Sequence, residues 1–289
     1  MNRRIWNSRR FLRKLLRYPS LLVGGAILVA YLCMVVFAPQ LAPQGPDDQD
    51  LFSVLLPPSG AHPFGTDPLG RDVLSRVIYG ARYTLLITFV SITIAALIGV
   101  PAGLFAAYRG KKLEAVIMRV VDFTLTFPTL LLAILVVAIL GIGIRGLILA
   151  IAVSFFPRIA RLAYSVTLPV RENEFIIAAH AMGASDLRIV IRHVLPNVAG
   201  PILVEVSLRA GQAVLTAAAL GFLGLGVTPP TPEWGAMISR GKDYLSVAPH
   251  IVIATGLAIS LSVLGFNLLA DGLRDMLDPR MSRQRGGFG

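Results

Sequence analysis

Six sparsely charged apolar runs, each about twenty residues long, constrain this chain more than any other feature. They lie at Pro19 to Phe37, Leu85 to Ala107, Phe123 to Ile142, Leu147 to Tyr164, Pro201 to Gly226 and Ile251 to Ala270. A hydrocarbon layer of about 30 Å is crossed by roughly twenty helical residues at about 1.5 Å rise each. A Lys, Arg or Asp at the centre of a span costs about 2.5 to 3.5 kcal/mol, and the run interiors hold almost none. Lipid offers no partner to a bare peptide group, so a spanning run must be a helix or part of a closed barrel, and runs this long and apolar are helices. The predicted fold is an all-α membrane protein with six transmembrane helices.

Composition narrows the function. With 55% hydrophobic and 15% charged residues, the chain is too apolar for a soluble globule of its length. Its formal net charge of +11 would suit nucleic acid only if the basic residues clustered on one folded polar face. They flank the apolar runs instead, so lipid is an expected partner and nucleic acid is not. The basic start followed by an apolar run resembles a signal peptide, but the run is longer than the usual 7 to 15 residues or so, and cleavage is not expected. Cys33 is the single cysteine, which leaves no intramolecular disulfide and no Cys-based metal site.

Lys and Arg collect on cytoplasmic loops. Of the 27 in the chain, twenty fall on residues 1–18, 108–119, 158–197 and 271–289, and six on 39–82, 143–146 and 227–249. Both termini are therefore expected in the cytoplasm. The organisation that follows is a basic tail at 1–18, a first span at 19–37, an exterior proline-rich loop at 38–81, a core with five spans at 82–277, and a second tail at 278–289.

Within the exterior loop, HPFGTDPLGRDVLSR combines Asp67, Gly70, Arg71 and Asp72, residue types that tie a compact loop by hydrogen bonds and ion pairs. A calcium site is disfavoured, because Asp67 and Asp72 fit no EF-hand spacing. In the second span, Gly99 and Gly103 form a small-xxx-small pattern suited to close helix packing, and Pro101 bends the axis. Pro128 and Pro157 are expected to interrupt the third and fourth spans similarly. Glu205 and Arg209 share one face of the fifth span as an opposite-charge pair, either a structural clasp or a gate. The exterior segment at 227–249 is read as a partly helical cap, with Trp234 and Tyr244 as interfacial anchors.

One polar island interrupts the apolar core. Arg171 to Asn197 is 27 residues long, far more than a turn between adjacent spans requires. Good helix formers run from Glu172 to Met182, and Gly183-Ala184 makes a hinge. Ser185-Asp186 caps a second helix, which Pro196 is expected to stop after Leu195. Small residues make the first helix slim enough to enter a groove on another protein, with Glu174 and His180 at its rim. An interfacial helix pair on lipid headgroups is the other reading open to these residues.

Ala178-Ala179, Gly183 and Leu195-Pro196 resemble the EAA motif of membrane permeases in ATP-binding-cassette importers. The motif's Glu falls on Ile177 and a later aliphatic position on His193, departures that resemble the peptide-and-nickel branch, where a Glu sits upstream as Glu174 does. HPFGTDPLGRDVLSR at 62–76, FLGLGVTPPTPEWGAM at 222–237 and FNLLADGLRDMLDPR at 266–280 are similar to that branch too. The resemblance implies a type I importer permease fold in the bacterial inner membrane, of the kind found as the second permease of dipeptide and oligopeptide importers. It implies a homologous DppB-type permease as heterodimer partner, two ATPase subunits and an external solute-binding protein, periplasmic or lipid-anchored. No cofactor is expected on this chain, with ATP and magnesium on the partners. The docking element would comprise Glu174, Ala178, Ala179, His180, Gly183, Ala184, Ser185, Asp186, Leu195 and Pro196 at 171–197. Peptides are the expected cargo, with glutathione or nickel chelates as alternatives.

An ATPase in its own right is excluded, because no G-x-x-x-x-G-K-[ST] loop occurs and Gly241-Lys242 is followed by Asp243. No nucleophile-and-base set or H-E-x-x-H supports an enzyme. An ion-coupled secondary carrier is the rival transport reading, with only Glu205 and Arg209 as ionisable candidates.

Overall fold

The computed structural model describes residues 18–277, so the expected tails at 1–18, all but Tyr18, and at 278–289 lie outside the described residues. The described chain is helical, with α1 at Pro19–Val36, a short α2 at Ala38–Leu41, α3 at Val73–Arg109, α4 at Lys111–Leu125, α5 at Thr129–Leu140 and α6 at Ile144–Arg171. There follow α7 at Glu174–Ala181, α8 at Asp186–Ile189, a π turn at Val190–Val194, α9 at Leu195–Phe222, α10 at Trp234–Gly241 and α11 at His250–Leu277.

Five of these helices are long and apolar enough to span a membrane, and a bent pair, α4 and α5, is a sixth candidate if its two halves count as one span. The expected third span, Phe123 to Ile142, is not one helix: its first residues belong to α4, and α5 leaves α4 at 97°. Pro128 is the physical cause, since it has no amide hydrogen and pushes Phe127 out of helical geometry. At 12 residues α5 is about 18 Å long, short of a full crossing by itself. Pro157 behaves differently, lying inside an unbroken α6.

Helix α3 begins at Val73, well before the expected Leu85, so the segment between α2 and α3 ends at Asp72, nine residues earlier than residue 81. Asp72 caps it, its Oδ2 accepting from the Ser75 amide at 2.7 Å. Helix α9 ends at Phe222, short of the expected Gly226.

The largest apolar cluster joins α3, α5, α6 and α9 through Ile87, Val137, Ile151, Phe155, Ala213 and Leu220. Small residues set how closely the helices approach. A Cβ on Gly103 would lie 2.3 Å from the Ala160 carbonyl oxygen, and one on Gly99 would lie 2.7 Å from that of Phe156. The glycine pair on α3 is thus the contact surface for α6, as the small-xxx-small spacing predicts. We expect Gly103→Leu to destabilise the fold by about 1–3 kcal/mol or more through overpacking. Gly256→Ala, where a Cβ meets nothing within 4 Å, is expected to be neutral. Thermal unfolding in detergent compares the two.

Two ends of the bundle can be told apart. Gly272 packs on Leu21 and Gly200 on Leu277, which places the start of α1, the end of α11, the start of α9 and the island at one end. Residues 38–72 and α10 build a cap at the other. The cap is partly helical, as expected, but Trp234 is no interfacial anchor. It is fully buried, donates Nε1–H to the Val77 carbonyl at 3.0 Å, and meets Tyr31 edge-on at 5.7 Å.

Candidate functional site

The island is built as two short helices around a sharp turn. Gly183 sits at φ +77°, a conformation that costs an L-residue roughly 1–2 kcal/mol. The Ala184 amide donates to the Ala179 carbonyl at 3.1 Å and the Gly183 amide to that of His180 at 2.9 Å. This pair of bonds is the Schellman closure of a helix C-terminus. A Cβ on Gly183 would meet nothing within 4 Å, so glycine is required there by backbone geometry and not by space. Ser185 occupies the N-cap position of α8, but its side chain makes no cap bond.

The second island helix does not stop at Pro196. The chain passes from α8 through the π turn into α9 without leaving helical geometry, and Pro196 lies in the first turn of α9. A proline at that point lacks a donor that a helix start leaves unpaired, and the π turn provides the changed hydrogen-bond register ahead of it. Leu195 and Pro196 therefore join the island to the span and stand apart from the α7–α8 turn.

Two faces of the island have different work. Ile176, Ala179, Ile189, Val190 and Val194 are buried against Leu104 and Tyr108 of α3, with Ala184 packed beside them. Ala178, Ala181 and Gly183 face outward, together with Ile177, Met182 and Leu187, which are 62%, 83% and 56% exposed. A short helical element outside the spans that presents this much apolar surface at one place marks an interaction site. Glu174 is exposed in the first turn of α7.

His180, expected at the rim of a docking face, and Asp186, expected with Ser185 to cap the second helix, both bond to the end of α3. The Tyr108 hydroxyl lies 2.7 Å from His180 Nε2, and the two rings are stacked at 6.1 Å. Asp186 accepts from Arg109 Nε at 3.0 Å and lies 3.7 Å from His180. Arg171 donates to the Ala107 carbonyl at 2.7 Å. Tyr108, Arg109 and Arg171 are thus a tether between α3 and the island that sequence reasoning missed. The available signal was their place at the ends of two spans, where polar side chains next meet a loop.

At the cap, Asp67, Gly70, Arg71 and Asp72 come together in one turn. Asp67 holds the Arg71 guanidinium at 2.6 Å and accepts the Leu69 and Arg71 amides at 2.8 and 3.1 Å. Asp72 also takes His62 Nδ1 at 3.1 Å, and Gly70, at φ +71°, passes so close to the Asp50 carbonyl that no Cβ would fit. Arg76, buried beneath, donates to the carbonyls of Pro46 and Pro230 at 2.5 and 3.1 Å. Glu205 and Arg209 form their pair, Nε to Oε1 at 2.6 Å, and Arg209 also reaches Gln212. Among the described residues no cluster of three or more metal-ligating side chains occurs.

Sequence reading also missed Glu233, which is fully buried and caps α10 by accepting the Gly235 and Ala236 amides at 2.8 and 2.9 Å. Burial pushes its carboxyl above the ordinary glutamate range, against the opposing pull of those two amides. A raised folded-state value means stability present at acid pH and lost as pH climbs through it. Relative to Glu233→Gln, the wild-type unfolding temperature is expected to fall as pH rises from about 4 to 8, as thermal scans across that range would show.

The family of binding-protein-dependent transport system inner membrane components matches residues 99–283. The chain belongs to this permease family. The N-terminal transmembrane domain of oligopeptide transport permease C matches residues 7–58 as well. Among relatives of the permease, the dipeptide transport system permease protein DppC of Alkalihalophilus pseudofirmus is 44% identical over 260 residues, 90% of this chain and 86% of that protein. The di/tripeptide transport system permease protein DppC of Pseudomonas aeruginosa is 42% identical, covering 90% of this chain and 88% of its own. The glutathione transport system permease protein GsiD of Pectobacterium atrosepticum is 40% identical, with 94% and 91% covered. In fold, the permease superposes on a chain of the inward-facing MetNI methionine ABC transporter with a TM-score of 0.58, at 22% identity over 71% of this chain and 98% of that one. The chain is a permease subunit of the ABC importer type, multi-pass in the membrane, and its relatives are transport permease subunits.

Proposed function

We propose that this permease forms half of the translocation path of an ATP-driven importer of di- and oligopeptides in the bacterial inner membrane. The island end faces the cytoplasm, together with both termini, and the cap end faces outward. A homologous DppB-type permease supplies the other half of the path. Two ATPase subunits bind ATP and magnesium, and a solute-binding protein delivers cargo to the cap. The observation that carries the coupling role is the outward apolar face of α7 and α8, held to α3 by the Tyr108–His180 and Arg109–Asp186 contacts. An ATPase that grips this face moves the end of α3 through those contacts. The Glu205–Arg209 pair, already closed on itself, is read as a clasp within α9.

Peptide cargo is favoured by the names of two of the relatives, and the glutathione permease keeps a small γ-linked peptide within the same chemical class. Reconstitution with the partner subunits tests the proposal. Uptake of a labelled dipeptide should require ATP and the ATPase subunits and should survive collapse of ion gradients. Uptake without the ATPases that fails when the gradient is collapsed would instead establish an ion-coupled carrier.

A further inference from the structure

A cavity of about 320 Å³ opens in the cap between the 67–76 segment, α10 and the start of α11. Three guanidiniums border it, of Arg71, Arg76 and Arg240, against the carboxylates of Asp67 and Asp243, so its lining carries a net positive charge. Two of the three are already occupied. Arg71 is held by Asp67 through Nε and Nη2 at 2.7 and 2.6 Å, and Arg76 by the Pro46 and Pro230 carbonyls and by Asp47 at 3.0 Å.

Arg240 differs from both. It is half-buried at the end of α10, yet among the described residues its guanidinium makes no hydrogen bond and has no carboxylate within ion-pair distance. Burial, and then the neighbouring charge of Arg71, hold its guanidinium below the ordinary arginine range. A partly dehydrated cation without a partner is costly, and an anion that enters removes the cost through charge-assisted hydrogen bonds. The planar fork of Arg240 matches a carboxylate. Beside it, Met237, Tyr244 and Ile251 make the wall apolar.

We propose that this cavity is a carboxylate-binding site, in which Arg240 holds the carboxylate and the Met237–Tyr244–Ile251 wall takes an apolar group attached to it. A cavity of this volume is at the lower end of the range of small-molecule sites, room for one amino-acid-sized group. The carboxylate can come from a free solute or from an Asp or Glu side chain of a protein that docks on the cap. Both present the same chemistry to Arg240.

Saturation-transfer NMR on the full chain in nanodiscs tests the site without partners, ATP or transport. The probes are N-acetylleucine and N-acetylleucine amide. The acid is expected to bind and the amide to bind roughly tenfold more weakly, the effect of losing one charge-assisted bond pair. Arg240→Gln should reduce the acid to the level of the amide, and Arg240→Lys should recover part of the difference. A second arm measures the affinity of the chain, assembled with its partner subunits, for its solute-binding protein. If only that affinity falls in Arg240→Gln, the carboxylate belongs to the docking protein. Equal binding of acid and amide, together with an unchanged docking affinity in Arg240→Gln, would overturn the proposal. Should the Gln variant fail to fold, the acid–amide comparison on the wild type and the Lys variant decides. The first arm is independent of the importer reading and the second rests on it, so failure of either idea is visible separately.

Discussion

Trp234→Ala is expected to lower stability by about 3–5 kcal/mol, the largest single loss available in the cap. The indole fills the space between Val73 and Val77 of α3, Tyr31 of α1 and Ile251 of α11, and it has no exposed surface. Its removal leaves a cavity that the helices can close only by abandoning their close contacts, among them Gly80, where even a Cβ would lie 2.8 Å from the indole ring. The indole hydrogen bond to Val77 is lost as well, worth about another 1 kcal/mol. Trp234→Phe keeps most of the volume and is expected to cost less than half as much. Thermal unfolding of the two variants in detergent, side by side with the wild type, gives the comparison. Equal loss in both would show that the hydrogen bond, and not the packing, carries the effect.

Gly183→Pro and Ala179→Phe are expected to abolish uptake while the permease still folds and reaches the membrane. Proline cannot adopt φ +77° and has no amide hydrogen for the bond to His180, so the Schellman closure opens and α8 loses its fixed angle to α7. Ala179 is buried against Tyr108 and Ile189, and a phenyl group there lifts α7 from α3. Overpacking of this kind costs about 1–3 kcal/mol locally, and it falls on a peripheral helix, away from the main core. Reconstituted variants should show ATP hydrolysis that no longer depends on substrate, with uptake down at least tenfold or so, a loss of about 1.4 kcal/mol or more in coupling. Ala178→Phe points outward and should spare the fold yet still obstruct the docking face. If all three variants transport normally, the island is a lipid-surface element.

The apolar runs made the helical membrane fold legible, because a span needs only length and hydropathy. Helix ends were less legible. Residues 73–84 carry Arg76 and Arg82, which read as loop, yet Arg76 is buried because Pro46, Asp47 and Pro230 supply acceptors from distant parts of the chain. Proline positions were visible, but not what each proline does. Pro128 separates α4 from α5 and Pro157 is absorbed within α6, while Pro196 follows a π turn that no propensity rule announces. Trp234 was misread because aromatic residues near a span end are usually interfacial, and only the folding back of the cap buries this one.

The candidate site was legible in outline. The island and its Gly183 turn followed from composition and spacing, whereas the outward apolar face is seen only in the exposure of Ile177, Met182 and Leu187. The division of labour within it was not. In the sequence His180 looks like a rim residue and Asp186 like a helix cap, and their partners, Tyr108 and Arg109, lie more than 70 residues upstream.

Site-specific cross-linking from Met182 tests the coupling role most directly. Cys33 is the only cysteine, so a Cys33→Ser, Met182→Cys chain carries a single thiol at the tip of the island. In membranes that contain the whole importer, the thiol is expected to cross-link to an ATPase subunit in high yield, and a thiol at Val29, exposed on α1, is not. Labelling of Met182→Cys by lipid-borne reagents, with no adduct to an ATPase, would contradict the account.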